Sequence, residues 1–587
     1  MNKQKNGFEQ IQKIITRIRK PFASKQTKFA GNQDNNTKMK ARILIFLLTI
    51  AALSGCTNGN TTKNPARNHS HELLTDAELS VTQTTSGKVA GYIDDGIFTY
   101  KGIPYAKAER FMPPVPADRW NGIRSCRAYG PTCPQGKRTG WYSDEQAFSF
   151  SWDDGFADED CLRLNIWTPG INDGRKRPVM VWLHGGGYSA GSGQELPSYD
   201  GHNLADKGDV VVVTLNHRLN VLGFLDLSAY GEKYAYSGNA GLLDIVAALD
   251  WVKANIARFG GDAGNVTIFG QSGGGGKVST LLATPSAKGK FHKAIVQSGS
   301  MLKTMESRWS RRIGAAVVEE LGISPSRIDE LQAMPYEKLL AAGEKAIAKV
   351  RGEADKAGFV SFIFGWAPTI DGSVLPRQPF YPDAPEQSKD VPMMIGTTIH
   401  EFSMSTYVPQ LRTIDKSAAI EYLRTKYGEK TEEFLRLFEK TYPDYQAKDL
   451  IDTDFTFRPS AIEQAVIKSR QGGAPVYTYM FAWESPVLDG ILRSTHCMEI
   501  PFVFNNADIH ASMTGGGKDA LELADRMSQA WINFARTGDP NTKDLPQWPV
   551  YNCSEGAAMI FNNDCEVKYN HDKELINFIR QFPTRGF

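Results

Sequence analysis

Val266-Thr267-Ile268-Phe269-Gly270-Gln271-Ser272-Gly273-Gly274-Gly275-Gly276-Lys277-Val278-Ser279-Thr280-Leu281-Leu282-Ala283 decides how this chain of 587 residues is read. Its first four residues are apolar, β-branched or aromatic, the texture of a strand buried on both faces. Gly270 and Gly274 then flank Ser272, and KVSTLLA (277–283) begins a helical pattern. A serine on a glycine-rich turn between strand and helix sits at a sharp bend that leaves its hydroxyl exposed. The helix that follows turns its positive end toward the place where negative charge would develop. Gly-x-Ser-x-Gly recurs at Gly187-Tyr188-Ser189-Ala190-Gly191, but the continuation GSGQELPSYDG (191–201) reads as loop. Ser272 is therefore the expected nucleophile, and Ser189 belongs to another motif.

That motif is His184-Gly185-Gly186-Gly187, directly after the apolar run Pro178–Leu183 (PVMVWL). Consecutive glycines let bare N–H groups approach a substrate carbonyl. Gly186, Gly187 and Gly273 are the expected oxyanion donors, each supplying about 3–4 kcal/mol of transition-state stabilisation. The two motifs, in this order and each after a strand, resemble the oxyanion loop and nucleophile elbow of α/β-hydrolases. Further apolar runs at Asp209–Leu215, Lys293–Gln297, Val391–Gly396 and Val476–Trp483 alternate with helical patterns. Gly241–Ile256 is one such helix, with Leu242, Ile245, Val246, Leu249 and Val252 at helical spacing. An α/β fold is expected, with a mostly parallel central sheet, helices on both faces, and chemistry beyond the strand C-termini.

In α/β-hydrolases the acid and then the histidine follow the serine along the chain. Of ten histidines, His69, His71, His184, His202 and His217 precede Ser272. His292 and His400 come too early if the acid follows the strand VPMMIG, which leaves His496, His510 and His571. His510 lies in a polar, Gly-rich stretch and His571 in a charged tail, so both read as solvated. His496, in the loop after VYTYMFAW (476–483), is the expected base. Glu401, after VPMMIGTT (391–398), is the expected acid that orients it.

Other segments carry a closer likeness. Gly102-Ile103-Pro104-Tyr105-Ala106, Glu159-Asp160-Cys161-Leu162, Leu164-Asn165-Ile166-Trp167, NHRLNVLGF (216–224), NIARFGG (255–261) and NFARTGDPN (533–541) resemble the motifs of the type-B carboxylesterase/lipase family. That family includes cholinesterases and bacterial para-nitrobenzyl-type esterases, and the likeness runs from about Gly87 to Asn541. It implies one α/β-hydrolase domain whose large insertions form a gorge above the serine. It implies a serine carboxylesterase acting on a small-molecule ester without metal or cofactor, with Glu401 and His496 in the roles given above. It also implies a supporting Ser298, with Glu499 as partner, and a Cys133–Cys161 bridge around a loop at the gorge mouth. Cys553–Cys565, twelve residues apart, is the second expected bridge, leaving Cys126 and Cys497 unpaired. Two positions depart from the family: Gln271 stands where Glu is common and Gly273 where Ala is frequent. A neutral Gln271 removes negative charge beside the serine and weakens the case for cationic choline esters. Trp141, Phe148, Phe150 and Trp152 fall inside the 133–161 loop, where lid packing is the simpler reading and a substrate pocket the alternative. A catalytically inactive neuroligin-like binding protein and an acyltransferase using the same acyl-enzyme remain rivals.

The net charge of +2 conceals an asymmetry. Residues 1–55 hold eleven Lys/Arg against Glu9 and Asp34, a surplus of nine, so 56–587 carry −7. A mildly acidic body gives no footprint for nucleic acid. Met39-Lys40-Ala41-Arg42, the apolar run Ile43–Leu53 and Leu53-Ser54-Gly55-Cys56 resemble a bacterial lipoprotein signal, with Cys56 lipidated. The expected organisation is extension and signal peptide at 1–55, polar tether at 56–77 and hydrolase domain at 78–587. An exported, membrane-anchored envelope or periplasmic protein follows. Six cysteines after Cys56 allow fifteen full pairings, which sequence alone does not fix, and none has zinc-like spacing.

Overall fold

Continuous apolar runs need cover on both sides, and the fold supplies it. The structure is a computed structural model that describes residues 72–76, 78–136, 143–359 and 364–582. Its main sheet contains β1 (Leu73–Leu74), β2 (Tyr92–Asp94), β3 (Ile97–Pro104), β4 (Arg163–Thr168), β5 (Arg177–Leu183), β6 (Val211–Leu215), β7 (Gly261–Gln271), β8 (Lys293–Gln297), β9 (Met393–Thr398), β10 (Val476–Phe481), β11 (Ala557–Phe561) and β12 (Glu566–Tyr569). They lie in the order β1-β2-β3-β4-β6-β5-β7-β8-β9-β10-β11-β12. From β6 to β11 in that order all neighbours are parallel. Antiparallel strands close both margins.

Side chains alternate between two cores along each parallel strand. Val179, Val181 and Leu183 of β5 join one core, and Met180 and Trp182 the other. Val266 and Ile268 of β7 likewise face away from Phe269. The first core is covered by α1 (Ala240–Asn255), α2 (Gly273–Leu281), α3 (Ser307–Leu321), α4 (Tyr336–Lys356) and α5 (Arg458–Arg470). The second is covered by α6 (Lys518–Thr537), which presents Leu523, Met527, Trp531 and Phe534. This is the expected α/β-hydrolase architecture, with excursions after β8 and β9 standing over the strand C-termini. Among the described residues no helix is long and apolar enough to cross a membrane.

Several expectations are corrected. The folded body begins inside the stretch read as tether: Leu73 and Leu74 pair with Asp94 and Ile93, and the Glu72 N–H donates to Asp95 Oδ1 at 2.7 Å. Cys553 and Cys565 are free and cannot bridge. β11 and β12 pair Ala557 with Tyr569 and Ile560 with Glu566, so Cys565 lies at the hairpin turn and Cys553 beyond its open end. The three-residue step between those pairs alone spans about 10 Å, more than the roughly 7 Å Cα separation a disulfide tolerates. Cys133 and Cys161 are also unbonded but are neighbours. Their mutual hydrogen bond, together with burial, pushes the Cys161 thiol well above its ordinary range. His510 is buried rather than solvated, held between Ser198 Oγ at 2.5 Å and the Ser149 carbonyl at 2.9 Å. His571 is half-buried. Residues 1–55, Cys56 and Trp141 lie outside the described residues.

Candidate active site

The serine bend forms as its glycines require. Ser272 closes β7 and opens α2 with φ 58° and ψ −125°, a conformation that β-carbon-bearing residues rarely adopt outside functional sites. Its N–H donates to the Gln297 carbonyl at 2.8 Å, which ties the turn to β8. A Cβ on Gly270 would lie 2.6 Å from the Leu183 oxygen, and one on Gly274 only 1.9 Å from it. Both positions are therefore restricted to glycine by the approach of β5. The following α2 turns its free N–H groups toward the serine.

The acid and the histidine meet across the ends of two strands. Glu401, fully buried after β9, accepts the Thr398 N–H on Oε1 at 2.9 Å and pairs through Oε2 with His496 Nδ1. The His496 N–H donates to the Glu401 carbonyl at 2.8 Å, so the histidine loop after β10 is held by backbone as well as side chain. With Nδ1 committed to a carboxylate, Nε2 is the nitrogen left to exchange protons. The Gln271 amide nitrogen lies 3.2 Å and 3.3 Å from the two ring nitrogens, which brings the ring against the residue preceding Ser272. Gln271 Oε1 in turn accepts the Cys497 thiol at 3.1 Å. Phe402 and Phe457 flank the imidazole, with centroids 4.6 Å and 5.3 Å away. Neither Gln271 nor these rings could be assigned to the histidine from the sequence, because the contacts join segments over 200 and about 40–95 residues apart.

A cavity of about 1040 Å³ opens over the serine; Ser272, Gly187, Gly273, Phe402 and Phe457 all lie on its wall. Ser189 reaches that wall too, from a loop. Gly186 and Gly187 turn the loop after β5 with φ of 75° and 62°. A Cβ on Gly273 would lie 2.3–2.5 Å from the oxygen, Cα and nitrogen of Gly187. The glycine found here in place of alanine is thus what lets α2 close on this loop. Phe148, Phe150 and Trp152 are not on the cavity wall: Phe150 is buried in the second core, Trp152 packs against it and Phe148 is exposed.

Behind the histidine lies a buried acidic group. Glu499 accepts the Gln297 amide at 3.3 Å on Oε1 and leaves Oε2 unpartnered. Burial first, and the Glu401 charge second, push its carboxyl up to about 7. Ser298 Oγ is buried and also unpartnered. Among the described residues neither side chain hydrogen-bonds to His496. Asp454 caps α5 by accepting the N–H groups of Thr456, Phe457 and Arg458 at 2.8–3.0 Å. Burial and Glu401 push its carboxyl up to about 7 as well.

Comparison with known proteins places the chain in a family. The profile described as Carboxylesterase family matches residues 78–579. Para-nitrobenzyl esterase of Bacillus subtilis (strain 168) is 37% identical over 518 residues, covering 86% of this chain and 99% of its own. An esterase from Clostridium hathewayi, described as able to hydrolyse aliphatic aromatic polyesters, superposes with a TM-score of 0.78 at 38% identity, covering 88% of this chain and 100% of its own. A carboxylesterase of Geobacillus stearothermophilus gives 0.68 at 35%, covering 84% and 99%. Such likeness to enzymes over nearly their whole length disfavours an inactive binding protein. The chain belongs to the carboxylesterase family and is a carboxylic ester hydrolase.

Proposed function

We propose that the enzyme works through an acyl-enzyme on Ser272, with His496 as general base and acid and Glu401 as its orienting carboxylate. The observation carrying this reading is the strained Ser272 turn, whose preceding residue Gln271 touches the ring of a His496 whose Nδ1 is already committed to Glu401. Ser272 Oγ attacks the ester carbonyl carbon as its proton passes to His496 Nε2, and Glu401 holds the resulting imidazolium. The carbonyl oxygen takes up negative charge facing the amides of Gly186, Gly187 and Gly273. His496 then protonates the departing alkoxide and the alcohol leaves. Water next gives a proton to His496 and attacks the acyl carbonyl. The acid is released and Ser272 regains its proton. Ser272→Ala should abolish hydrolysis of short-chain nitrophenyl esters with the melting temperature preserved. Hydrolysis that persisted in this variant would refute the assignment.

Export and anchoring form part of the same proposal. The basic stretch Met39–Arg42, the apolar run and the small residues before Cys56 support lipidation at that cysteine. Replacement Cys56→Ala should move the enzyme from the membrane to the soluble fraction; unchanged fractionation would refute it. In an oxidising compartment the adjacent Cys133 and Cys161 thiols would close to a disulfide, read as a loss of two hydrogens in the intact mass.

A further inference from the structure

Lys277 has no part in the chemistry above, yet its side chain is wholly buried. It lies on α2, five residues beyond the serine, and its Nζ donates to the His184 carbonyl at 2.8 Å. Among the described residues it forms no other hydrogen bond and no ion pair. The Tyr188 ring, 5.9 Å away, is its further contact. Removing an ammonium from water into a protein interior costs several kcal/mol unless it is paired. His184 opens the loop that carries Gly186 and Gly187. That loop already meets the first turn of α2 where Gly273 packs on Gly187 and Gly274 on the Leu183 and His184 oxygens. Lys277 adds a third point of contact, and the one that carries charge.

We propose that Lys277 is a positioning residue for ester hydrolysis: its ammonium, clamped on the His184 carbonyl, fixes the His184–Gly187 loop against α2 and lends it positive charge as the oxyanion forms. This rests on the reading of Gly186, Gly187 and Gly273 as oxyanion donors. The clamp acts through amides, so it governs the transition state more than substrate binding. Donors displaced by a fraction of an ångström lose much of their effect.

The groups facing Lys277 define its pH behaviour. His184 and His217 stack at 5.1 Å, and burial pushes both well below the ordinary histidine range, so they are neutral neighbours. Glu195 is buried, accepts the Ser192 N–H at 2.8 Å and the Tyr199 hydroxyl at 3.1 Å, and feels Asp154. Burial pushes Lys277 down to about 7, opposed by Glu195, and pushes Glu195 up to about 8, opposed in part by Lys277. Lys277 is charged on the acid side of its pKa and neutral on the alkaline side, so kcat should fall as pH rises through that value.

The test measures kcat and KM for a nitrophenyl ester between pH 6 and 9 for the wild type and Lys277→Met, together with melting temperatures. Lys277→Met should lower kcat about tenfold to a hundredfold, leave KM within about threefold and lose the alkaline fall. Wild-type kcat and pH profile in a folded Lys277→Met would overturn the proposal, as would a parallel loss of kcat and substrate binding. Should that variant not fold, a wild-type kcat that does not fall between pH 6 and 9 is contradictory by itself. Ser272 labelling by a phosphonate keeps the two claims apart. An adduct on Ser272 with unaltered Lys277→Met kinetics sinks only the clamp, whereas an adduct elsewhere sinks the acyl-enzyme reading.

Discussion

At the residue scale the site depends on atoms that are missing as much as on those present. Gly273 faces the Gly187 backbone with no space for a methyl group. Gly273→Ala must push the loop away, and kcat should fall at least tenfold with little change in melting temperature, because one donor pair is disturbed while the core is untouched. Steady-state kinetics with a calorimetric scan would check this; an unaltered kcat would mean the loop adapts. Glu401→Gln keeps the shape but replaces a carboxylate with an amide that can present the wrong partner to Nδ1. A fall in kcat of about 10²–10⁴ is expected, with substrate binding preserved.

At the element scale, what could be read from sequence follows burial. β5, β7, β8 and α1 were legible because strands covered on both faces spell continuous apolar runs, and a helix on one core repeats its apolar residues every three or four positions. β1 and β12 were not: one is two residues long, and the other, EVKY, has no fully buried position. The β11–β12 hairpin accordingly hid the separation of Cys553 and Cys565, since spacing in sequence says nothing of which end of a hairpin a residue occupies. Alkylation of the denatured protein without prior reduction should modify both thiols, and protection of the pair would contradict the hairpin register. His510 escaped notice for a related reason. Its polar neighbours suggest water, whereas the fold uses its two ring nitrogens to join Ser198 to the Ser149 carbonyl. Within the candidate site, the Ser272 turn, the glycine loop and the Glu401–His496 pair were legible because local motifs and chain order mark them. The contacts of Lys277 and Gln271 were not, since their partners lie in loops distant along the chain.

At the scale of the whole molecule, buried titratable groups make stability depend on pH. Glu499 keeps its proton to about pH 7 when folded, against an ordinary value near 4.5. Across that interval the unfolded chain is ionised while the folded one stays protonated, so the contribution of this carboxyl to stability is lost as pH rises. Glu499→Gln lacks this dependence. Its melting temperature should gain on the wild type between pH 5 and pH 8, and a constant difference by calorimetry would contradict the burial assigned to Glu499. The parallel sheet, its two cores and the excursions above it hold one strained serine beneath a cavity, with the residue before it against an imidazole whose Nδ1 is occupied. The most direct measurement is stoichiometric reaction with a fluorophosphonate followed by peptide mass spectrometry. One adduct per chain, on Ser272 and coincident with loss of esterase activity, is expected; an adduct on Ser189, or full activity after Ser272 is modified, would contradict the account.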